Sequence, residues 1–558
     1  MRKSFLVATI LLTPLCADAG SQVIARHAAL ASVSPQATQI GARILREGGN
    51  AIDAAVAVSF ALAVAHPQAG NIGGGGFLLY YEKKSGAVWT LDYREVAPFE
   101  ATSTMYLQAD GKPKPEASTI GPLASGVPGS VAGLEAMHER FGRKKWSSIV
   151  TPAVRLAREG IVVTERLRSD LAEAQEKRKI DRFPSTAAIF FPDGKPLAAG
   201  TRLRQDALAE TLERIAKGGA NEFYEGTTAR NIVRSVQEQA GLISQRDLTE
   251  YRPTWRAPVR IDYRDYQLYT MAPPGGGSII LSEVLAILNP YDIRGLGFQS
   301  AGFLHVFAEA LRRAYIDRNE FVGDPAFVRI PFHDLYSAER AERWRSSIDP
   351  ARATPTETIA KELSTESGET THFTIVDEEG NIAAVTTTLN SFFGCGFVVE
   401  GGGFFLNNEM DDFTTAPGAP TAYGLVQSKA NAIEPRKKMA SSMTPTIVFR
   451  AGRPFLALGS PGGGSIPASV LQVFFNVAMF GQSLLEAVDA PRFHHQAHPD
   501  HIKYERGRAD RDVLVALTLM GHAVHEEPSI GDVHAVMFTE DGLVAVADSR
   551  RGGAAGGY

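Results

Sequence analysis

Helical spacing of apolar positions marks the early chain. Ala37 to Glu47 and Ile52 to Val64 are Ala-rich with an apolar face, and they predict two helices. Gly73 to Gly76 end this stretch. The period then shortens to that of strands over Phe77 to Glu82 and Ala87 to Arg94, with Lys83-Lys84-Ser85-Gly86 as the hairpin turn between them. From Ser130 to Arg345 the pattern is mostly helical, interrupted by breaks such as Ala272-Pro273-Pro274-Gly275. Residues 351–369 are polar, rich in Thr and Glu, and have no apolar period, which predicts an exposed, mobile segment. Directly after it, TTHFTIVDEEGNIAAVTTTLN reads as two strands joined by Glu378-Glu379-Gly380-Asn381. A Gly-rich stretch, strands at Thr446 to Phe449 and Phe455 to Leu458, a Gly loop, a helix over Ser465 to Phe480 and a hairpin over Ala535 to Ala547 complete the chain. Strands set between helices in mixed order predict a layered α/β sandwich. No internal repeat or low-complexity linker divides it.

Composition narrows the class. A chain of 558 residues exceeds one small core and predicts several domains or one large layered unit. Apolar residues at 44% and charged residues at 21% exclude a disordered protein. A net charge of −5 offers no basic excess for nucleic acid. The first residues read as a signal peptide: Arg2 and Lys3, then an apolar run from Phe5 to Leu12 with Leu15, then Ala17-Asp18-Ala19. That run is too short for a membrane anchor, and the bulky Leu15 before Cys16 argues against lipid attachment. Removal of residues 1–19 predicts a periplasmic or secreted protein with no membrane span. Cys395 is then the one remaining cysteine, so no internal disulfide forms.

The junction at residue 370 carries the candidate chemistry. A free N-terminal threonine combines a hydroxyl nucleophile with an α-amine of pKa about 7.7–8.0, which serves as its base. Making one requires cutting the Glu369–Thr370 bond. The hydroxyl can do this by attacking the preceding carbonyl, giving an ester that water hydrolyses. Taken alone, Thr370 and Thr371 read equally as β-formers at a strand start. Gly462 to Gly464 do not make a dinucleotide loop, since GSPGGG is not G-x-G-x-x-G, and Gly73 to Gly76 lack the Lys-Ser/Thr of a phosphate loop. His494, His495, His498 and His501 cluster without an H-E-x-x-H pattern, so no metal is expected. No G-x-S-x-G elbow is present.

Wider context decides the reading. TTHFTIVDEEGN, TLNSFFG, FLNNEMDDF, SSMTPT, GSPGGG and APRFHHQ occur in that order between residues 370 and 496. In order and spacing they resemble the γ-glutamyltransferase (glutathione hydrolase) family of N-terminal-nucleophile hydrolases. LDYREVAP, Gly73 to Gly76 and the C-terminal ADSRRGGAAGGY extend the resemblance over nearly the whole mature chain.

The resemblance implies an αββα sandwich built from a large piece, residues 20–369, and a small piece, residues 370–558. It makes Thr370 the nucleophile and Thr388 the threonine that hydrogen-bonds it. Asn390, Glu409 and Asp412 match the positions that hold the α-amino group of a glutamate moiety. Arg94, with Ser441 and Ser442, matches the grip on its α-carboxylate. Gly462 and Gly463 match the oxyanion donors, and Tyr423 the tyrosine of a lid loop. It implies a glutathione-type γ-glutamyl donor, water or an amino acid or peptide amine as acceptor, and no cofactor. Physical chemistry agrees: guanidinium grips carboxylate in a planar fork, and Asp412 supplies an ammonium's counter-charge. The family commonly follows GSPGG with Ser or Thr and then a polar residue, whereas Gly464, Ser465 and Ile466 stand here. Glu409 occurs as Glu or Gln. Two rivals remain: a relative that removes glutaryl groups from β-lactam precursors, and a γ-glutamyl-peptide binding protein that never cleaves.

Overall fold

The computed structural model describes residues 20–360, 370–414 and 428–558. The expected signal peptide with Cys16, the cleavage-site residue Glu369 and Tyr423 therefore lie outside the described residues.

The two early helices form over Pro35–Arg46 and Ala51–Ala65. Ser34 caps the first, its side chain accepting from the Ala37 amide, and Asn50 with Asp53 makes a reciprocal capping box on the second. The second helix is apolar on every side, and it is correspondingly buried along almost its whole length.

Two seven-stranded sheets stack between helical layers. In order, one sheet holds Ala554–Gly557, Ala29–Ser32, Thr370–Val376, Ile382–Thr388, Gly75–Glu82, Ala87–Asp92 and Thr254–Arg256. The other holds Ser21–Ala25, Gly542–Ala547, His534–Thr539, Arg453–Gly459, Thr446–Arg450, Tyr266–Thr270 and Val259–Tyr263. All neighbours within both sheets are antiparallel. Strand alternation sorts side chains between layers. Leu78, Tyr80, Phe373, Ile375, Ala383 and Val385 pack toward the helices, while Leu79, Tyr81, Val376, Ile382 and Ala384 meet Ile447, Phe449, Ala457 and Val536 of the facing sheet. The helices Gly277–Leu288, Ala301–Phe321 and Ile466–Ala478 cover the second sheet. The expected αββα sandwich is the observed architecture.

Two expectations need refinement. The middle of the chain is mostly helical, as expected, but Thr254–Arg256, Val259–Tyr263 and Tyr266–Thr270 within it are strands. Residues 351–360, expected to be exposed and unanchored, are exposed at half their positions but are pinned by polar contacts at Thr356 and by Ile359 and Ala360 packing on the core. The Thr356 amide donates to Asp500 Oδ2 at 2.7 Å and its hydroxyl to the Ala497 carbonyl at 3.0 Å, leaving Thr356 1% exposed.

Candidate active site

Thr370 and Thr388 are opposite partners at the open ends of adjacent strands, and Thr388 in turn faces Gly75. In the uncut chain the two hydroxyls stand 3.4 Å apart, longer than a tight hydrogen bond. Thr388 Oγ1 also accepts the Asn390 amide at 2.7 Å, which fixes its orientation. Asn390 takes a left-handed conformation, φ 72°, and its side-chain amide donates to the Asn408 carbonyl at 3.1 Å. The turn after the strand thus carries Asn390 back toward the threonines.

A glycine makes room behind them. A Cβ at Gly75 would lie 2.6 Å from both a Glu95 carboxylate oxygen and the Tyr93 carbonyl. Arg94, fully buried, extends from the end of the Ala87–Asp92 strand. Its Nη1 pairs with Glu409 Oε2 at 2.6 Å and lies 3.8 Å from Glu95. Its Nη2 pairs with Asp412 and donates to the Ala440 carbonyl at 3.1 Å. Glu409 and Asp412 sit in one short 3-10 turn, Glu409–Asp412.

Three buried carboxylates around one guanidinium cannot all carry charge cheaply. Burial pushes Glu409 up to about 8, with Arg94 pulling against it and Glu95 adding to it. Burial likewise pushes Glu95 up to about 8, against the pull of Arg94. Burial alone would lower Arg94, but Glu409, Asp412 and Glu95 outweigh it and hold the guanidinium charged. The site therefore keeps one fixed cation and at least one carboxylic acid that still holds its proton at neutral pH.

One cavity brings these groups together. Arg94, Thr370, Thr388, Asn390, Glu409, Asp412, Ser441, Ser442 and Gly463 line it, and it has room for about 10 Å³, one water molecule. Gly462 lies one residue outside its lining. The paired Arg94 and acids fill the rest. Gly462 and Gly463 both have positive φ, 122° and 52°, and lead into the helix Ile466–Ala478. That conformation favours glycine, and it brings main chain close to Thr370. The departure noted at Gly464 to Ile466 places an apolar side chain, Ile466, in the cavity wall. A groove of about 830 Å³ adjoins the site, sharing Gly462 and Ser465 with this loop and reaching Ser391 beside Asn390.

Every described residue expected at the site is found in this region. Sequence reasoning missed Glu95, Asn408 and Met443. Glu95 follows Arg94 directly, and its signal was an acid beside a basic residue at the end of the strand-like run Ala87 to Arg94. His495 Nε2 meets Asp500 Oδ1 at 3.2 Å, but among the described residues His494, His495, His498 and His501 form no three-ligand group, whereas a different trio, His305, Glu309 and His522, does. Arg312 and Arg313 already neutralise Glu309, at 3.2 and 2.6 Å, which suits a polar core rather than a cation site.

Comparison with known proteins follows the same lines. The family model described as Gamma-glutamyltranspeptidase matches residues 37–558. The glutathione hydrolase proenzyme of Escherichia coli (strain K12) is 43% identical over 536 residues, 96% of this chain and 92% of that protein. Among solved structures, cephalosporin acylase from Bacillus halodurans superposes with TM-score 0.85 and 26% identity, over 98% of this chain and 99% of that one. Helicobacter pylori gamma-glutamyltranspeptidase is 41% identical with TM-score 0.57, over 58% of this chain and 93% of that one.

Proposed function

The chain belongs to the gamma-glutamyltranspeptidase family, and on that basis we propose that it cuts itself before Thr370 and then transfers γ-glutamyl groups from that residue. It is an enzyme of the glutathione hydrolase type on an N-terminal-nucleophile hydrolase fold. The observation that carries the reading is the single cavity in which Thr370 meets Arg94, Glu409 and Asp412.

An Arg flanked by two acids is the negative image of an amino-acid zwitterion. The donor's α-carboxylate replaces Glu409 or Asp412 on Arg94, assisted by Ser441 and Ser442. Its ammonium takes up the released acid, with Asn390 completing its hydrogen bonds. This places the γ-carbonyl toward Thr370 and the main chain of Gly462 and Gly463. In the first reaction the Thr370 hydroxyl attacks the carbonyl of residue 369, the C–N bond breaks so that an ester replaces the amide and frees the α-amine, and water then hydrolyses the ester to release the residue 369 carboxylate and regenerate the hydroxyl. In the second, that amine accepts the hydroxyl proton as Oγ1 attacks the γ-glutamyl carbonyl. The C–N bond breaks, the leaving amine takes the proton, and water or an acceptor amine resolves the ester. One oxyanion donor is worth about 3 kcal/mol in such a step.

The products would be pieces 20–369 and 370–558, after removal of residues 1–19 on export to the periplasm or medium. A match covering 93% of one solved family chain with only 58% of this one supports a product in two pieces. Among the described residues no helix is long and apolar enough to cross a membrane. The test is a denaturing gel with N-terminal sequencing of the smaller band. Thr-Thr-His-Phe at its start, with Thr370→Ala left whole, is the expected result. An intact wild-type chain would turn the reading toward a binding protein.

The superposition on a cephalosporin acylase favours a second reading, removal of glutaryl groups. A glutaryl group has no amine, so the acid that its carboxylate displaces from Arg94 would be left unpaired. Sites with such orphaned polar groups discriminate by roughly 10⁴-fold. Comparing γ-glutamyl and glutaryl anilides on the processed enzyme separates the two.

A further inference from the structure

A second cavity, of about 160 Å³, lies away from the Thr370 cavity and shares no lining residue with it. Two helices begin at it. Pro35–Arg46, 12 residues, starts behind Ser34, and Glu165–Arg178, 14 residues, starts behind Thr164. Ser34, Pro35, Gln36, Thr164, Arg166 and Leu167 all line the space. Ser34 and Thr164 cap the Ala37 and Leu167 amides, so the first-turn amides left without a partner among the described residues are those of Gln36, Glu165 and Arg166, and both helix dipoles present their positive ends here.

Side chains add to that field. Arg166 and Arg551 line the cavity. Arg166 uses Nε to bind Asp170, at 2.7 and 3.0 Å, which leaves its two terminal amino groups without a hydrogen bond among the described residues. His66 and Gln68 also line the cavity, 9% and 3% exposed, with Gln68 meeting the same Asp170 carboxylate that Arg166 holds. His66 Nε2 and Gln68 Oε1 have no partner among the described residues, while Gln68 Nε2 is engaged by Asp170 at 3.0 Å. Burial, then Arg551 and Arg166, hold the His66 imidazole neutral, down at about 3, so this part of the lining feels a positive potential.

We propose that this cavity is a binding site for a small anion, an oxyanion or a short carboxylate, held by Arg166, His66 and the two helix starts. The neutral imidazole donates through Nε2–H, and Gln68 Oε1 accepts from a water that accompanies the ion. These groups come from before residue 370, and Arg551, from after it, lines the same space, so the site lies where the two halves of the chain meet. Arg166 and Arg551 also line the large groove beside Gly462, which couples occupancy to that groove's wall.

Thermal unfolding of the full-length enzyme in sodium sulfate, acetate and chloride at matched ionic strength tests this. Saturable stabilisation is expected, with an apparent affinity about tenfold weaker in Arg166→Gln, since a charge-assisted hydrogen bond is lost. Sulfate against acetate identifies which anion fits. An equal, unsaturating rise in both proteins would be a general salt effect and would overturn the site. A bromide-soaked wild-type crystal gives an answer independent of any variant. An anomalous peak between His66 and Arg166 supports the site, and water alone there rejects it.

Discussion

At the scale of single residues, proton occupancy is the property most open to test. Glu409 is pushed up to about 8 by burial, so it enters the binding step as an acid. A ligand ammonium beside it favours the carboxylate, and the proton leaves. Glutamate binding near pH 7 should therefore release a fraction of a proton, and affinity should rise as pH climbs from about 6 toward 8. Calorimetry in two buffers of different ionisation enthalpy counts that proton. Glu409→Gln should keep the grip on Arg94 and abolish both effects; release that persists in this variant would assign it elsewhere. Stability follows the opposite sign. The folded chain holds protons on Glu95 and Glu409 that the unfolded chain sheds near the ordinary carboxylate range, so their contribution declines as pH rises from there through about 8. Glu95→Gln should consequently gain in melting temperature on wild type between pH 5 and pH 9.

Among the elements, the strand Thr370–Val376 does most to place the chemistry. Its face toward the other sheet carries His372, whose Nδ1 bonds Thr386 Oγ1 at 2.8 Å and whose Nε2 bonds Thr374 Oγ1 at 3.0 Å. The ring lies flat over Gly459 of the facing sheet, where a Cβ would sit 2.3 Å from it. Gly459→Ala should therefore part the sheets under Thr370 and cost about 1–3 kcal/mol, read in denaturant unfolding. Strands like these were legible because period two and β-branched content coincide, as in TTHFTIV and IAAVTTT. The pair Val259–Tyr263 and Tyr266–Thr270 shows the same alternation, buried at Ile261, Tyr263, Tyr266, Leu268 and Thr270, but long helical neighbours masked it. Ala554–Gly557 gave no such signal: its small residues have no β propensity, and pairing with Ala29–Ser32 alone makes it a strand. Residues 351–360 read as unanchored for another reason: a polar clamp at Thr356, with only Ile359 and Ala360 touching the core, leaves no apolar period to read. At the site, the motifs located Arg94, Asn390, Glu409 and Asp412, whereas the protons held on Glu95 and Glu409 needed their burial and their distances from Arg94.

For the molecule as a whole, the order of strands matters more than any single contact. Thr370–Val376 lies between Ala29–Ser32 and Ile382–Thr388, and the latter pairs onward with Gly75–Glu82. Strands from before and after residue 370 are thus interleaved within one sheet, and the same holds for Ser21–Ala25 against Gly542–Ala547 in the other. A cut before Thr370 should leave both pieces in one particle. Size-exclusion chromatography should give a single peak at the mass of the whole, resolving into two only in denaturant; separation in native buffer would contradict this topology. The interleaving also sets how the enzyme ages. Before the cut, a chain that unfolds can refold alone, by a first-order search. After it, the halves must find each other at the same time as they fold, and that encounter slows with dilution. Catalytic maturity is then gained at the loss of a way back, and the enzyme's working life is governed by the rate of its first unfolding event.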